Sequence, residues 1–533
     1  MTGTPFQKEI LARLCELSHI YIVGGAVRDD YLGIPSKDVD AVMALPLEEI
    51  NQLLANWGYS PHQIGEKQQT VTLFREAERL DIVSFSGDIE SDALRRDFTL
   101  NAIYQDFRTG EIKDPLNGLR DLNDRRLKSC GSAFDRFEED PLRVLRLVRL
   151  AVQYDFGIEE DTWLAAVEQL PKLQGVSVER ITEELGRILI LEDIDKAIGL
   201  LDKLEYFKTY IPELARLKGL VQNRYHTKDA WEHTRHVVKN TPPRLLLRLA
   251  GLFHDLGKWD TASRECYIWG TLLRKGKNYQ VAGFKLVGKQ LERWVNKDVE
   301  IHGGRFDNHP DTVFIKHIKF CYARQNKQFE WVPEGKRHFL QHEKESARLL
   351  KEVLPRFRWS MLLPGGKAGE REVEYLVGHH MLGTLTFMSE LKEDADKFKV
   401  RSKARRFAWD IGWNGNAFDG QRIENLLELW RADYLGGKQV NDEDIKRLDA
   451  LQAEIRRACE FLADREQSLN WSTFTDFMQV KGIEGTQYGR FKEQVHRAAI
   501  MDTKNSLTDH EFLEREYRFF LKSNNLGFSN KNK

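Results

Sequence analysis

A chain of 533 residues is too long to bury one hydrophobic core and calls for three or four structural units. Its 81 basic and 82 acidic side chains leave a net charge of −1, which excludes a bulk polycation; any nucleic acid must be met through local patches. No apolar run reaches membrane-spanning length and the start lacks a basic-then-apolar signal, so no membrane partner is expected. The five cysteines (Cys15, Cys130, Cys266, Cys321, Cys459) follow no pairing motif, consistent with reduced thiols in the cytoplasm.

Residues 4–18 read as an amphipathic helix leading into a buried strand at Tyr21 to Val23. Gly24-Gly25 breaks that strand, and Ala26 to Leu32 returns to helix-forming residues, so the glycines sit at a strand-to-helix turn. Glycine there lets a ligand approach the backbone closely, and Arg28 adds a forked cation suited to phosphate. Asp38 and Asp40 are two apart on a second strand, so both carboxylates leave by one face. Two carboxylates beside a phosphate cradle suit Mg²⁺ on a nucleoside triphosphate. Thr70 to Phe74 and Leu80 to Phe85 form a candidate hairpin, completing a small mixed sheet; Asp81 on its second arm is either a third metal ligand or an exposed polar residue.

Arg95-Arg96-Asp97 marks an element end facing the cleft, Asp114 to Gly118 is a turn, and Asp121 to Leu127 reads as a helix. From Glu139 the pattern becomes nearly all helical. Pro141 fits a first helical turn, and Asp140, Arg143, Arg146 and Arg149 recur every third residue beside an apolar stripe of Leu142, Leu145 and Val148. Such a flank can read a base edge and clamp phosphates, or be a salt-bridged surface. Two more amphipathic helices follow, at 178–191 and 194–204.

The segments GGAVRD, KDVD, RRDFTLNAIYQD, DPLNGLRDL, EDPLRVLRLVRLA and ERITEEL, in this order over residues 18–210, resemble the bacterial class II tRNA nucleotidyltransferases, the CCA-adding enzymes and their relatives. The resemblance implies an α+β chain: a polymerase-β-like mixed-sheet head followed by mostly helical neck, body and tail domains beside a clamped tRNA. It implies that Asp38 and Asp40 bind Mg²⁺ and are catalytic. Gly24, Gly25, Arg28 and Arg96 would meet the incoming CTP or ATP, with Asp97 near its ribose. Asp140 and Arg143 would select the base, and Arg146 and Arg149 would complete the pocket. Between Phe85 and Arg95 the loop is about a dozen residues shorter than in full CCA enzymes of the family. In this family a missing loop marks enzymes that add CC and stop; complete CCA addition and poly(A) polymerase activity are the alternatives.

Further along, His233, His254-Asp255, His342, His379-His380 and Asp433 lie in separate helical segments with metal-ligand chemistry. The pattern is similar to the HD phosphohydrolase superfamily. That resemblance implies one metal on His233, His254, Asp255 and Asp433 and a second near His342, His379 and His380. The metal would be Ni, Mn, Co, Fe or Mg²⁺, activating water against a phosphomonoester or 2′,3′-cyclic phosphate. A long segment rich in Lys, Arg, Trp and Tyr (259–334) interrupts the pattern and is either RNA-facing or a plain surface insertion. Arg401 to Arg406 is a candidate tRNA-backbone contact. The stretch 477–491 resembles the family's tail, without its usual Gly-Pro pair, and residues after Phe520 are expected to fray. The domains expected are 1–138 (head), 139–222 (neck and body), 223–440 (HD type) and 441–533 (tail), in a monomer or homodimer. A protein that is chiefly an HD phosphohydrolase with an RNA-binding head is the reading from another class.

Overall fold

The computed structural model describes the chain apart from residues 1–2, 37, 64–69, 77, 86–87, 223–227, 289–290, 321–328, 332–336, 340, 392–396, 414–417, 438–439, 468–470, 482–486, 488–489, 493, 496–497, 499–509 and 524–533. Lys37, Cys321, the glycines of the tail turn and the end beyond Ser523 therefore lie outside the described residues. The chain divides into two compact units: residues 1–212 with 356–362, and residues 213–355 with 363–533. Among the described residues no helix is long and apolar enough to cross a membrane.

The first unit opens with helix Pro5–Cys15, whose start is fixed by a capping box: Thr4 accepts from the Gln7 amide while the Gln7 side chain accepts from the Thr4 amide. Seven strands follow: β1 (Ile20–Val23), β2 (Asp38–Met43), β3 (His62–Gln63), β4 (Thr70–Arg75), β5 (Glu78–Ser84), β6 (Tyr104–Asp106) and β7 (Ile112–Lys113). They form one mixed sheet in the order β3-β4-β5-β2-β1-β6-β7. The expected β4–β5 hairpin is present and runs antiparallel, while β2 and β5 are parallel, with Asp40 opposite Asp81. On β2, Val39 is buried while Asp38 is exposed and Asp40 half-buried, and period-two alternation sets the two acids on one face of the strand, at the end away from buried Val42. Val23, Val42, Ala93, Ala102, Tyr104 and Cys130 pack one face of the sheet.

One local expectation is corrected: the helix after the Asp114 turn covers only Gly118–Asn123. Arg126–Leu127 is instead a short strand paired in parallel with Gly157–Ile158, because the chain turns at Arg125 with a left-handed backbone (φ 49°). Helices Ala133–Glu139, Arg143–Gln153, Glu160–Gln169, Val178–Leu189, Ile194–Lys203 and Tyr206–Tyr210 follow in the same unit.

In the second unit, helices Ala230–Asn240, Leu245–Phe253, His342–Val353, Lys367–His379 and Gly420–Gly436 enclose the histidine and aspartate segments. The interrupting segment is the exception to the helical expectation. Between Ala262 and Phe339 it folds as an eight-stranded sheet around its own cluster, including Cys266, Ile268, Val281, Leu286, Val299, Ile301 and Val313. Helices Asp442–Gln467, Trp471–Lys481 and His510–Ser523 follow, the last two sharing a small aromatic core of Phe474, Phe477, Phe491 and Phe520.

Candidate active sites

The first site is built at the end of β1. Gly24 has φ 77° and ψ −142°, a region open almost only to glycine. A Cβ there would lie 2.9 Å from Asp40 Oδ2, so the residue must be bare for the acid to sit where it does. Helix Gly25–Tyr31 starts at once, with Arg28 buried beneath the turn.

Asp38 and Asp40 offer only oxygen acceptors, the donor set a hard divalent cation prefers. Burial, and then the charge of Asp81, push the Asp40 carboxyl up to about 6, against the opposing pull of Arg96 and Arg79. A carboxylate so disfavoured in its charged form is one that a bound cation would relieve, so these residues fit Mg²⁺. Asp81 is committed elsewhere: it accepts from Thr72 Oγ1 at 2.7 Å and pairs with Arg79 at 2.7 Å.

Behind the acids runs a buried polar chain. Arg28 donates to Asp29 Oδ1 at 2.9 Å, to Asn101 Oδ1 and to Tyr154 Oη, and its guanidinium stacks on the Tyr154 ring. The Asn101 amide donates in turn to Asp97 Oδ1 at 3.0 Å. Asp97 Oδ2 takes two bonds from Arg146, from Nε at 2.9 Å and from Nη2 at 2.5 Å. Burial alone would raise Asp97, but Arg146, Asn101 and the Phe98 amide hold its carboxyl well below the usual range. Asn101 and Tyr154 were not singled out from the sequence. Arg96 is held by Asp92, Nε at 2.9 Å, and by the Tyr104 hydroxyl at 3.0 Å.

Helix Arg143–Gln153 carries the arginine row, and its start coincides with the Asp140 turn. Asp140 accepts from Arg180 at 2.8 Å, Arg143 bonds the Arg136 carbonyl at 2.7 Å and Glu139 at 3.1 Å, and Arg149 pairs with buried Glu184. Arg180 and Glu184 both come from the segment ERITEEL. They hold the row in place, and the sequence reading had left them without a role.

The second site lies wholly in the second unit. His254, His342 and His380 each place Nδ1 2.8 Å from a backbone carbonyl (Gly251, Phe339 and Val377). A carbonyl only accepts, so each Nδ1 carries the proton and each Nε2 lone pair is left to face the centre. There His254 Nε2 is 3.3 Å from His233 Nε2, and His342 Nε2 is 3.2 Å from His380 Nε2. Asp255 lies between the two pairs, 3.0 Å from His254 on one oxygen and 3.2 Å from His342 on the other, while Asp433 is 3.0 Å from His233. Both Asp255 oxygens are buried outside conventional hydrogen-bond geometry.

Converging lone pairs and carboxylates without enough protons between them are a cation-binding set, and the His/carboxylate mixture suits a transition metal. Two groups are close enough to share ligands, His233-His254-Asp255 and Asp255-His342-His380. Burial opposes ionisation of Asp255, yet His254 and Lys258, the latter at 2.6 Å, hold it well below its usual value. Burial together with His254 and His342 pushes His380 down to about 3, keeping it a neutral ligand.

His379 is not brought into this cluster. Its Nδ1 meets the Tyr375 carbonyl at 2.7 Å and its ring stacks on Tyr375. Neighbours on a helix point about 100° apart, so both imidazoles of the pair do not reach one centre. The basic stretch is also largely engaged: Lys403 pairs with Glu390, Arg401 with Glu454, and Arg405 stacks on Phe461.

A model described as the poly A polymerase head domain matches residues 20–87 and 77–128. A second, described as a probable RNA and SrmB-binding site of polymerase A, matches residues 155–218. The CCA-adding enzyme of Lactococcus lactis subsp. lactis (strain IL1403) is 37% identical over 224 residues, spanning 39% of this chain and 56% of that protein. The first unit is similar in sequence to the bacterial class II tRNA nucleotidyltransferases. The multifunctional CCA protein of Haemophilus ducreyi is 35% identical to this chain over 281 residues, spanning 46% and 65% of the two. The chain thus spans between half and two thirds of the length of these curated relatives. In fold it is similar to the Bacillus stearothermophilus CCA-adding enzyme in complex with CTP, with a TM-score of 0.53 at 20% identity over 97% of this chain and 98% of that one.

Proposed function

We propose that this chain extends the 3′ end of tRNA from CTP and stops after CC, and that its second unit is a metal-dependent phosphohydrolase. The first part is carried by one observation: Asp38 and Asp40 leave β2 by the same face against a glycine that must be bare. A head domain used only for binding has no need of two such acids.

In this reading Asp38 and Asp40 hold Mg²⁺, which when bound supplies charge neutralisation for phosphoryl transfer. The tRNA 3′-hydroxyl attacks the α-phosphate in line and pyrophosphate leaves. The bare turn at Gly24-Gly25 admits the triphosphate, and Arg96 balances charge beside Asp40. Asp97 does its work as an anchor, setting Arg146 on one side and, through Asn101, Arg28 on the other. Asp140 with Arg180, and Arg143, line the edge that chooses the base, and Arg149, pinned to Glu184, closes the pocket. The regions work as head (1–138), neck and body (139–222), HD-type domain (223–440, sheet included) and tail (441–533), in the cytoplasm.

The CC limit rests on the short connection between β5 and the next helix, Ile89–Arg95, which leaves only Phe85 to Asp88. Complete CCA addition is the second reading, favoured by relatives that are named CCA-adding enzymes. Incubation of tRNA ending at its discriminator base with Mg²⁺, CTP and ATP, resolved to single nucleotides, decides: two residues added supports the first, three the second.

The second unit's reading rests on the Asp255-centred cluster. Its His and Asp residues would hold two transition-metal ions, which when bound polarise a phosphoester and its water; Lys258 adds positive charge at Asp255. Hydrolysis of 2′,3′-cyclic AMP or p-nitrophenyl phosphate with added Mn²⁺, Co²⁺ or Ni²⁺, abolished by D255N, tests it.

A further inference from the structure

The inserted sheet is electrostatically unlike the rest of the molecule. Residues 262–339 hold fifteen Lys and Arg against eight Asp and Glu, a net charge of +7 in a chain whose total is −1. Its strands divide the two faces cleanly. The register pairs Leu286 with Val313 and sets Val299 and Ile301 beside them, and this face packs the sheet's apolar cluster.

The opposite face is traced by a different series of partners: Leu273 with Gln280, Gln280 with Lys285, Lys285 with Thr312, Val287 with Phe314, Phe314 with Gly304, and His302 with His317. Here Lys285, the exposed Lys275 two residues beyond Leu273, and Lys277 at the adjoining turn supply positive charge. Leu273 and Val287 stay 45% and 49% exposed although both are apolar. The rings of His302 and His317 stack, with centroids 6.0 Å apart and planes within 17°, and His317 is open to solvent. Phe314 lies against Gly304, where a Cβ would sit 2.2 Å from its ring, so the bare glycine allows the ring to flatten onto the sheet.

We propose that this face docks single-stranded RNA. Lysines track a phosphate backbone, while a flat imidazole and exposed aliphatic groups give unstacked bases a platform. A duplex offers such a face only its backbone, and an acidic protein segment has no planar groups to stack. The choice of RNA over DNA rests on the reading of the first unit as an RNA-extending enzyme. The sheet also touches the second metal cluster: the Phe339 carbonyl at its end orients His342, and Asn308 donates to the Trp259 carbonyl next to Lys258.

The test uses the full chain in EDTA with a fluorescent 12-nucleotide RNA without secondary structure, read by anisotropy across a salt series. The triple substitution K275E/K277E/K285E is expected to raise Kd at least tenfold and to reduce the log–log salt slope by about 2, at roughly 0.7 per lost phosphate contact. H317A is expected to weaken binding severalfold with the slope unchanged, since it removes stacking and no fixed charge. A 4-thiouridine strand is expected to cross-link within residues 262–320. Wild-type affinity in the triple variant, cross-links only outside the sheet, or equal displacement by polyglutamate at matched charge would overturn the proposal. Equal affinity for the matching DNA strand would overturn the assignment to RNA. Should tRNA extension fail while strand binding and its cross-links persist, the first unit's reading falls and the docking face stands.

Discussion

Substituting Gly24 by alanine isolates the tightest constraint in the first site. The backbone there, at φ 77° and ψ −142°, costs a non-glycine residue about 1–3 kcal/mol. In addition the new Cβ would meet Asp40 Oδ2 at 2.9 Å, so the carboxylate must move by several tenths of an ångström. A misplacement approaching 1 Å at a reacting centre costs about 100-fold in rate. G24A should therefore lower stability of the first unit by about 1–3 kcal/mol in urea denaturation. It should also reduce kcat for labelled CTP incorporation roughly 100-fold with little change in KM. G25A is the internal control: its backbone is helical, and its Cβ would meet only the Arg28 guanidinium, nearest at Nη2, 3.2 Å away, and no atom of Asp40. It should change stability by less than about 1 kcal/mol, because the helical preference for alanine over glycine offsets the close contact. If G24A matches wild type within twofold, or G25A is the more damaging, the reasoning fails.

Three further expectations follow from the polar chemistry. The Asp97 carboxyl is held below its unfolded value, so its stabilisation is complete above about pH 4 and is lost as pH falls toward the folded value. D97N should lower stability at pH 7 and flatten the acid limb of the unfolding profile below pH 4. N101L removes the shared partner of Arg28 and Asp97; leaving both under-satisfied in a buried site should cost about 1–3 kcal/mol in denaturant titration. In the second unit, D255N should abolish binding of both metals by elemental analysis, whereas H379A, whose ring faces Tyr375, should retain them.

What could be read before the structure was whatever is local. Asp38 and Asp40 declared themselves because period two is a property of one strand, and Gly24-Gly25 because a strand cannot run through them. Asn101, Tyr154, Arg180 and Glu184 stayed silent because each acquires meaning only from a partner 35 to 126 residues away. The pair His379-His380 showed the chemistry of a ligand, but which ring reaches the centre depends on helix rotation, and the composition of the segment does not contain it. The inserted sheet was legible in principle. Val299 and Ile301 alternate with polar neighbours, but the abundance of Lys, Trp and Tyr drew the reading toward surface character instead. The cluster at Asp255 was foreseeable in membership, though the bridging position of that one carboxylate between two histidine pairs emerges only from the packing of separate helices.

The central claim is most directly tested by offering the purified chain tRNA trimmed to its discriminator base, with Mg²⁺ and radiolabelled CTP, beside D38A and D40A variants checked for folding by circular dichroism. The account predicts extension by the wild-type chain and none above background by either variant. Unextended tRNA with the wild-type chain, or extension that survives loss of either acid, would contradict it.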